Sequence, residues 1–204
     1  MSGNKVLELK NISKSFGTRK IIDKLNLSLD QGDILSIIGP SGAGKTTLLR
    51  LIAGLESADS GKFIHNGKEF DPTDRNNHLL GMVFQDYNLL DNMTLQDNIA
   101  LPLSLNGKRS REIIEKTKQM ASLFGLSEHL NKYPYQLSGG QKQRGASARA
   151  LITNPRIIFA DEPTGALDSK SSKDLLISLK KANESGNATI LMVTHDAYSA
   201  SYAK

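Results

Sequence analysis

The spacing of hydrophobic residues along the chain changes between two periods, one typical of strands and one typical of helices. In the first part of the chain, apolar residues alternate with polar ones at Leu25, Leu27 and Leu29, which predicts strands of an antiparallel layer. The Asn-Gly pair at 66–67 predicts a hairpin turn between two further short strands. From 87 to about 132 the apolar residues recur at helical spacing, so we expect a helical insert there.

This helical segment carries a predicted apolar stripe and several predicted breaks. Pro102, the Asn-Gly pair at 106–107 and Gly125 are expected to interrupt the helices. The stripe is expected to pack against the rest of the protein. It comprises Ile113, Ile114, Thr117, Met120, Ala121 and Phe124.

Four short, largely apolar runs are typical of strands that are buried in a parallel sheet. One of them, 34–38, leads into a glycine-rich loop. The others end in polar side chains, namely Gln85, the pair Asp161 and Glu162, and His195. Because parallel strands place their carboxyl ends on one edge of the sheet, we expect these side chains on the same edge. Side chains alternate along a strand, so Asp161 and Glu162 are expected to face different ways and to have different roles, one at Mg²⁺ and one at a water molecule.

The loop after the first of these runs, residues 39–47, matches the phosphate-binding pattern G-x-x-x-x-G-K-[ST] in full. Its glycines let backbone N–H groups turn toward a phosphate without obstruction by side chains. Lys45 is expected to reach the β- and γ-phosphates of a nucleotide, and Thr46 to offer a hydroxyl oxygen to Mg²⁺. The nucleotide-binding residues predicted in this loop are Gly39, Pro40, Ser41, Gly42, Ala43, Gly44, Lys45, Thr46 and Thr47.

Two further motifs each allow two interpretations. Phe16, just before a glycine, is either a core residue of an edge strand or a face on which adenine stacks. Ser138, followed by two glycines, is either the N-cap of a helix or part of an anion-binding helix start. From the residues alone, the core and capping interpretations are the simpler ones.

Length, composition and charge limit the number of domains, the kinds of site and the partners that we expect. With 204 residues the chain is long enough for one α/β domain, with or without a small inserted subdomain. The chain has no cysteine, which excludes disulfides, thiolate metal sites and cysteine nucleophiles. Its net charge of +5 is scattered without an aromatic-rich basic patch, so we expect no nucleic acid partner. The sequence shows neither an apolar run of about 18 residues nor room for a signal peptide, so we expect a cytosolic chain.

Together and in this order, the motifs resemble the nucleotide-binding subunit of ABC transporters, and the resemblance extends from Phe16 to His195. It is specific because the run Leu-Ser-Gly-Gly-Gln at 137–141 stands shortly before the apolar run that ends in Asp161 and Glu162. The phosphate-binding loop alone is shared with many other nucleotide hydrolases.

The resemblance implies a fold class and a domain organisation. The fold is a P-loop NTPase of the α/β class, with a mixed, largely parallel core sheet, an antiparallel β layer and an inserted helical subdomain. We expect a single domain over residues 1–204. Within it, the helical subdomain is expected at about 87–132 and a signature helix over 138–151.

The resemblance also implies an ATPase with ATP and Mg²⁺ as cofactors. The ligands implied for Mg²⁺ are Thr46, Gln85 and Asp161. The residues implied in catalysis are Glu162 as the general base, His195 as a contact of the γ-phosphate, and Gln85.

Further nucleotide contacts are implied at Phe16, which would stack on adenine, and in two segments that face a second copy of the chain. ATP would then hold two head-to-tail copies together. The residues implied at this shared site are Ser138, Gly139, Gly140, Gln141 and Asp168.

A polytopic membrane permease is the second partner that the resemblance implies. The chain would lie on the cytoplasmic face of the cell membrane as a peripheral subunit that powers transport.

The segments 85–90, 98–103 and 161–169 resemble the ATPases of macrolide, antimicrobial-peptide and lipoprotein-handling systems. Among these, bacitracin-type peptide exporters are the first choice. In such systems the region 87–93 docks on the permease. Its apolar residues are either docking contacts or core residues: Leu89, Leu90 and Met93.

Three points depart from this interpretation or compete with it. Gly145 and Ser147 stand where the family has bulky aliphatic residues, so we expect a softer signature helix and looser packing around it. Family members continue beyond the γ-phosphate histidine with a helix and strands, whereas this chain stops at Lys204, so we expect a C-terminal element to be missing. The competing function is a soluble or division-associated ABC-type ATPase that is not coupled to transport.

Overall fold

The computed structural model describes residues 4–40, 42–74, 80–186 and 188–202, and within them the chain forms two β-sheets with helices around them. The predicted nucleotide contact Ser41 lies outside the described residues. None of the helices in the described ranges is long and apolar enough to cross a bilayer.

The strands are β1 (Lys5–Phe16), β2 (Arg19–Asp30), β3 (Ile34–Ile38), β4 (Ser60–His65), β5 (Lys68–Phe70), β6 (Leu80–Val83), β7 (Ile157–Asp161) and β8 (Thr189–Thr194). The helices are α1 (Lys45–Ile52), α2 (Leu95–Leu105), α3 (Ser110–Leu123), α4 (Gly139–Leu151), α5 (Ser169–Gly186) and α6 (Ala197–Ala200), with 3₁₀ turns at Ser127–His129 and Pro134–Gln136.

The core sheet has the strand order β3-β8-β7-β6, and its strands pair in parallel. Strand β8 is buried at every position, because apolar clusters cover the sheet on both faces. The register pairs Ile38 with Thr194 and Asp161 with Val193, so the carboxyl ends of β3, β8 and β7 lie side by side. This confirms the predicted α/β class; the described strands of the core sheet pair only in parallel, where the prediction was a mixed, largely parallel sheet. The arrangement brings the polar strand ends to one edge.

The second sheet is antiparallel, as predicted, with the order β2-β1-β4-β5. Asn66 and Gly67 both have positive φ angles, 48° and 77°, as in the type I′ turn that two-residue hairpins favour. Helix α1 lies between the two sheets, because one apolar cluster joins Leu7 of β1, Leu49 of α1 and Leu191 of β8. This packing holds the start of α1, and the loop before it, against the edge of the core sheet.

Helices α2 and α3 lie within the segment predicted to be helical, but residues 87–94, before α2, are not helical. Two details of the helices also differ from the prediction. Pro102 lies inside α2 and does not end it. Ile99 and Leu103, four residues apart on one side of the helix, are both buried, and this packing favours continuation of the helix past the proline. Ile114 is 49% exposed, although the predicted stripe includes it. It lies about 100° around the helix axis from Ile113, at the edge of the buried face.

Helix α4 packs closely against α2 at Gly145. A Cβ atom at Gly145 would lie 2.6 Å from Leu95 Cδ1, so the glycine makes room for a buried leucine. The Ser147 hydroxyl is buried and donates to the Gln143 carbonyl at 2.9 Å, one turn earlier in the same helix. Gly145 is therefore a point of close helix packing, rather than the loosened contact that the sequence predicts.

Helix α1 ends in a Schellman motif, in which Gly54 takes the left-handed conformation with φ 70°. The Leu55 N–H donates to the Arg50 carbonyl at 2.9 Å, and the Gly54 N–H donates to the Leu51 carbonyl at 3.2 Å. The chain beyond passes so near that a Cβ atom at Gly54 would lie 1.9 Å from the Pro72 carbonyl oxygen. This helix end therefore requires glycine for two separate reasons, the backbone angle and the lack of space.

We expect Gly54→Ala to lower the free energy of unfolding by about 2–4 kcal/mol, because it combines left-handed strain with a backbone clash. The matched control is Gly67→Ala, since Gly67 also has a positive φ but no atom lies within 4 Å of the added Cβ. The control should cost only the left-handed strain, about 1–2 kcal/mol. Urea unfolding measures both losses. Equal losses in the two variants would contradict the role given to the Pro72 contact.

Candidate nucleotide-binding and hydrolysis site

The loop between β3 and α1 is shaped by two glycines in the left-handed conformation, Gly42 with φ 78° and Gly44 with φ 86°. Helix geometry leaves the first N–H groups of α1 without acceptors inside the helix. The residue before the helix, Gly44, has no side chain that could cap them. A Cβ atom at Gly44 would lie 2.9 Å from Ile21 Cγ2, so strand β2 approaches this point closely. The loop thus presents backbone donors and the positive end of a helix, an arrangement that suits a phosphate.

Lys45 is held within this loop by carbonyl groups of the loop itself. Its Nζ donates to the Gly39 carbonyl at 2.7 Å and to the Pro40 carbonyl at 2.9 Å, and the residue is only 8% exposed. An ammonium group has three N–H donors, so these two bonds leave one donor for a phosphate oxygen. The lysine therefore braces the loop while it keeps charge available for a nucleotide.

Thr46 and Asp161, two of the predicted metal ligands, meet where α1 begins and β7 ends. The Thr46 hydroxyl donates to Asp161 Oδ1 at 3.3 Å. Burial raises the pKa of Asp161, the Thr46 hydrogen bond opposes that rise, and the neighbouring Glu162 charge adds to it. A hydroxyl and a carboxylate side by side are oxygen donors of the kind that Mg²⁺ prefers, so these residues fit a magnesium ion.

Glu162 and His195 form a direct contact at the same edge of the sheet. Glu162 Oε1 lies 3.2 Å from His195 Nδ1, and the Glu162 N–H donates to the Val193 carbonyl at 2.8 Å. Glu162 has φ 44°, so the chain leaves the strand at Asp161 and turns through a left-handed residue. The alternation of side chains along a strand therefore does not apply to this pair, and both carboxylates lie at one site.

Gln85 approaches the same place from a neighbouring strand. Strand β6 ends at Val83, two residues earlier than the sequence predicts, so Gln85 stands on the segment that follows it. A Cβ atom at Gly165 would lie 3.4 Å from Glu162 Oε2 and 3.5 Å from Gln85 Nε2. The two side chains thus converge on one point, as expected from the carboxyl ends of parallel strands.

A cavity of about 370 Å³ joins the phosphate loop to Phe16. Phe16 is 49% exposed and is not a core residue, which leaves its ring available for stacking. Lys14 Nζ lies 5.2 Å from the centre of this ring, a cation–π contact. The side chains and loop residues that line the cavity include Phe16, Arg19, Gly42, Lys45, Thr46 and Glu162.

The predicted signature residues form a helix start away from this cavity. The Ser138 hydroxyl accepts from the Gln141 N–H at 3.3 Å, and Gln141 Oε1 accepts from the Ser138 N–H at 2.9 Å, which is a complete capping box. Asp168 lies close by, because it accepts from the N–H and hydroxyl of Ser171, and Ser171 Oγ is 2.5 Å from where a Cβ of Gly140 would stand. These two hydrogen bonds lower the pKa of Asp168. The described residues lining the 370 Å³ cavity include none from helix α4.

A model of the ABC transporter family matches residues 22–165, which include the phosphate loop, the capping box of α4 and the carboxylate pair. The chain belongs to the ABC transporter family. This ABC cassette binds ATP and is an ATPase, as the resemblance implies. The roles of its individual site residues remain predictions.

Relatives and solved structures agree with this membership along nearly the whole chain. The bacitracin export ATP-binding protein BceA of Halalkalibacterium halodurans is 46% identical over 208 residues, covering 97% of this chain and 82% of that protein. The dimeric structure of MJ0796, a bacterial ABC transporter cassette, is 36% identical, with a TM-score of 0.87 over 97% of this chain and 91% of that chain. A dimeric post-hydrolysis state of MJ0796 bound to ADP and Pi has a TM-score of 0.86 and is 35% identical over the same shares of the two chains.

Sequence reasoning missed a set of contacts between helix α4 of this cassette and residues 84–88, on both sides of Gln85. Arg149 donates to the Asn88 carbonyl at 2.6 Å and to the Tyr87 carbonyl at 3.1 Å, and burial lowers the pKa of the guanidinium. Gln143 Nε2 donates to the Phe84 carbonyl at 3.1 Å. Tyr87 and Asn88 are both left-handed, with φ 54° and 50°, which turns these two carbonyls toward the helix. No spacing in the sequence pairs α4 with this segment, because the contacts end on backbone atoms.

The apolar residues of the same region divide between the two interpretations left open by the sequence. Leu89 packs against the larger apolar cluster of the cassette. Leu90 is 44% exposed, although its backbone is held by the Asn98 side chain, which accepts from the Leu90 N–H and donates to its carbonyl. Leu89 is therefore a core contact, whereas Leu90 presents an apolar side chain to the outside on a fixed backbone.

Proposed function

We propose that this cassette hydrolyses Mg-ATP at a site shared between two copies, and that the cycle powers a membrane permease that exports an antimicrobial peptide. The observation that carries the catalytic part is the contact of Glu162 with His195 beside the phosphate loop. The support for the substrate class is the 46% identity with a bacitracin export ATP-binding protein.

In the proposed reaction Glu162 is the general base. Its carboxylate accepts a proton from the water that attacks the γ-phosphorus, as the bond from that phosphorus to ADP breaks. An N–H of His195 orients the Glu162 carboxylate, and the histidine is also proposed to contact the γ-phosphate. Lys45 and the N–H groups at the start of α1 hold the phosphates, and Phe16 stacks on the adenine. Thr46, Asp161 and Gln85 would hold Mg²⁺, which neutralises charge on the phosphate oxygens when bound.

A second copy is proposed to complete the site, because the start of helix α4 lies outside the cavity of its own chain. Helix geometry leaves the N–H groups of Gly139 and Gly140 without acceptors inside α4, and the positive dipole end favours an anion. Head-to-tail pairing would bring this helix start to the γ-phosphate in the partner's loop, with Asp168 at the crossing. The dimeric structures of MJ0796 support the pairing of two copies.

The permease is proposed to contact the segment after Gln85, on the cytoplasmic face of the membrane. Leu90 supplies an exposed apolar side chain there. Arg149 of α4 holds this segment, and Gln143 holds Phe84 just before it, so the segment connects the proposed ATP-contacting helix with the proposed docking point.

The test is to express the tagged Glu162→Gln variant in its native host, extract membranes in detergent with Mg-ATP, and identify the bound proteins by mass spectrometry. We expect a polytopic permease to co-purify, and we expect cells that lack the cassette to become sensitive to bacitracin-type peptides. Tagged Lys45→Met, which should bind ATP about 10- to 100-fold more weakly, is the matched control. Recovery of soluble partners alone, with unchanged peptide sensitivity, would overturn the transport proposal and favour a soluble ABC-type ATPase.

A further inference from the structure

We infer that His129 is a positioning residue of the ATPase: its ring Nε2 holds the side-chain amide of Gln141 and thereby fixes the start of helix α4. This inference rests on the proposed function, in which that helix start contacts the γ-phosphate bound by a partner copy. His129 stands outside the signature run, twelve residues before Gln141 and at the end of a 3₁₀ turn.

The orientation of the Gln141 amide follows from the capping box. The Ser138 N–H can only donate, and it lies 2.9 Å from Gln141 Oε1, so the amide oxygen must face it. The amide nitrogen then faces His129, with Gln141 Nε2 and His129 Nε2 3.0 Å apart. Since an amide NH₂ group can only donate, His129 Nε2 must be the acceptor in this bond.

This assignment fixes the tautomer of the imidazole. A neutral ring that accepts at Nε2 carries its proton on Nδ1. His129 Nδ1 is buried and makes no hydrogen bond within the part of the chain that the structure describes. The ring contributes one polar contact to its described surroundings, and that contact is the bond to Gln141.

The ring is a fixed support, because the backbone around it is tied to its neighbours. The His129 N–H donates to the Leu126 carbonyl at 2.9 Å, and the His129 carbonyl accepts from the Lys132 N–H at 3.0 Å. The same short segment accepts two bonds from the start of α2, from the Leu95 N–H at 2.8 Å and the Gln96 N–H at 2.9 Å. Helix α2 in turn packs on α4 at Gly145. Gln141 is therefore held between its own helix and a segment anchored to the neighbouring one.

The bond between His129 and Gln141 determines which hydrogen-bond donors stay free at the start of helix α4. With Gln141 Oε1 on the Ser138 N–H, the Ser138 hydroxyl accepts from the Gln141 N–H and keeps its own hydrogen to donate. Loss of the histidine would leave the amide nitrogen of Gln141 unpaired, and the amide would rotate in search of other partners. The capping box would then loosen at the place that the partner's phosphate is proposed to contact.

The experiment compares His129→Leu, which removes the acceptor, with His129→Gln, whose side-chain oxygen can accept the same bond. We expect His129→Leu to lower kcat by about fivefold, the effect of one hydrogen bond, with KM for ATP unchanged. His129→Gln should restore most of the loss. Glu128→Gln, which changes an exposed neighbour and leaves the acceptor in place, is the control and should match the wild type.

A spectroscopic measurement tests the bond itself. Long-range ¹H–¹⁵N spectra of the ring nitrogens, assigned by the signal lost in His129→Leu, should show His129 with its proton on Nδ1. Four histidines are present in the chain, so the assignment by difference is simple.

A ring proton on Nε2 of His129 would overturn the inference. Wild-type turnover in His129→Leu would also overturn it, as would equal losses of kcat in His129→Leu and His129→Gln. An equal loss of kcat in the control Glu128→Gln would do the same. If His129→Leu fails to fold, His129→Gln and the wild-type spectrum still decide the matter. A wild-type chain without ATPase activity would refute the proposed function, whereas the ring tautomer would still decide whether His129 supports Gln141.

Discussion

Glu162→Gln is expected to lower the rate of ATP hydrolysis by about 10²–10⁴-fold and to leave ATP binding intact. The amide keeps the size of the side chain and can still accept a bond from His195, which lies 3.2 Å away, but it cannot take a proton from water. Phosphate release under single-turnover conditions measures the rate, and fluorescent-nucleotide titration measures binding. Because bound ATP would persist, light scattering in saturating Mg-ATP should detect a stable dimer.

The matched control for this variant is Glu184→Gln, an exposed glutamate on helix α5, which should hydrolyse ATP at the wild-type rate. Hydrolysis within a few-fold of wild type in Glu162→Gln would refute the assignment of the general base. A variant that remains monomeric with saturating Mg-ATP would contradict the shared site, even if its hydrolysis were lost.

Lys45→Met is expected to weaken ATP binding by about 10- to 100-fold, because it removes a charged donor to the phosphates. The substitution keeps an unbranched side chain that is one atom shorter, and it also deletes the two bonds to the Gly39 and Pro40 carbonyls that brace the loop. Isothermal titration with ATP and with ADP measures the loss. The larger loss is expected for ATP, whose γ-phosphate is proposed to contact this lysine.

Lys118→Met, an exposed lysine on helix α3, is the control for the change of charge. Circular dichroism at increasing temperature separates a loss of binding from a loss of folding, since Lys45 is itself buried. Wild-type affinity for ATP in a folded Lys45→Met protein would contradict the role of the loop.

The sequence was sufficient for the parallel core and for its functional edge because both follow from short-range patterns. Apolar runs that end in polar residues predict buried parallel strands, and the strand ends of β7 and β8 do bring Asp161 and His195 to one edge. The phosphate loop is likewise local, because its glycines, lysine and threonine act over a few successive residues. Phe16 could not be assigned from its neighbours, since exposure depends on how two sheets pack.

The contacts that the sequence did not predict depend on single backbone angles or on tertiary approach. Glu162 reaches His195 because its own φ is positive, and nothing in a carboxylate pair predicts a left-handed residue. The sequence predicts looser packing at Gly145, yet Leu95 from another helix fills the space beside this glycine. Ile114 falls at the edge of its stripe, where a small rotation of α3 decides between burial and exposure. Such features require the assembled structure.

The two attachments between helix α4 and the segment 84–88 have a mechanical consequence. Gln143 and Arg149 grip this segment at points six residues apart, or about 9 Å along the helix axis. A segment fixed at one point can pivot, but a segment fixed at two must follow the rotation of the helix as well as its translation. Helix and segment are therefore expected to move as one rigid unit, so that a tilt at the proposed ATP-contacting end of α4 displaces the chain near Leu90.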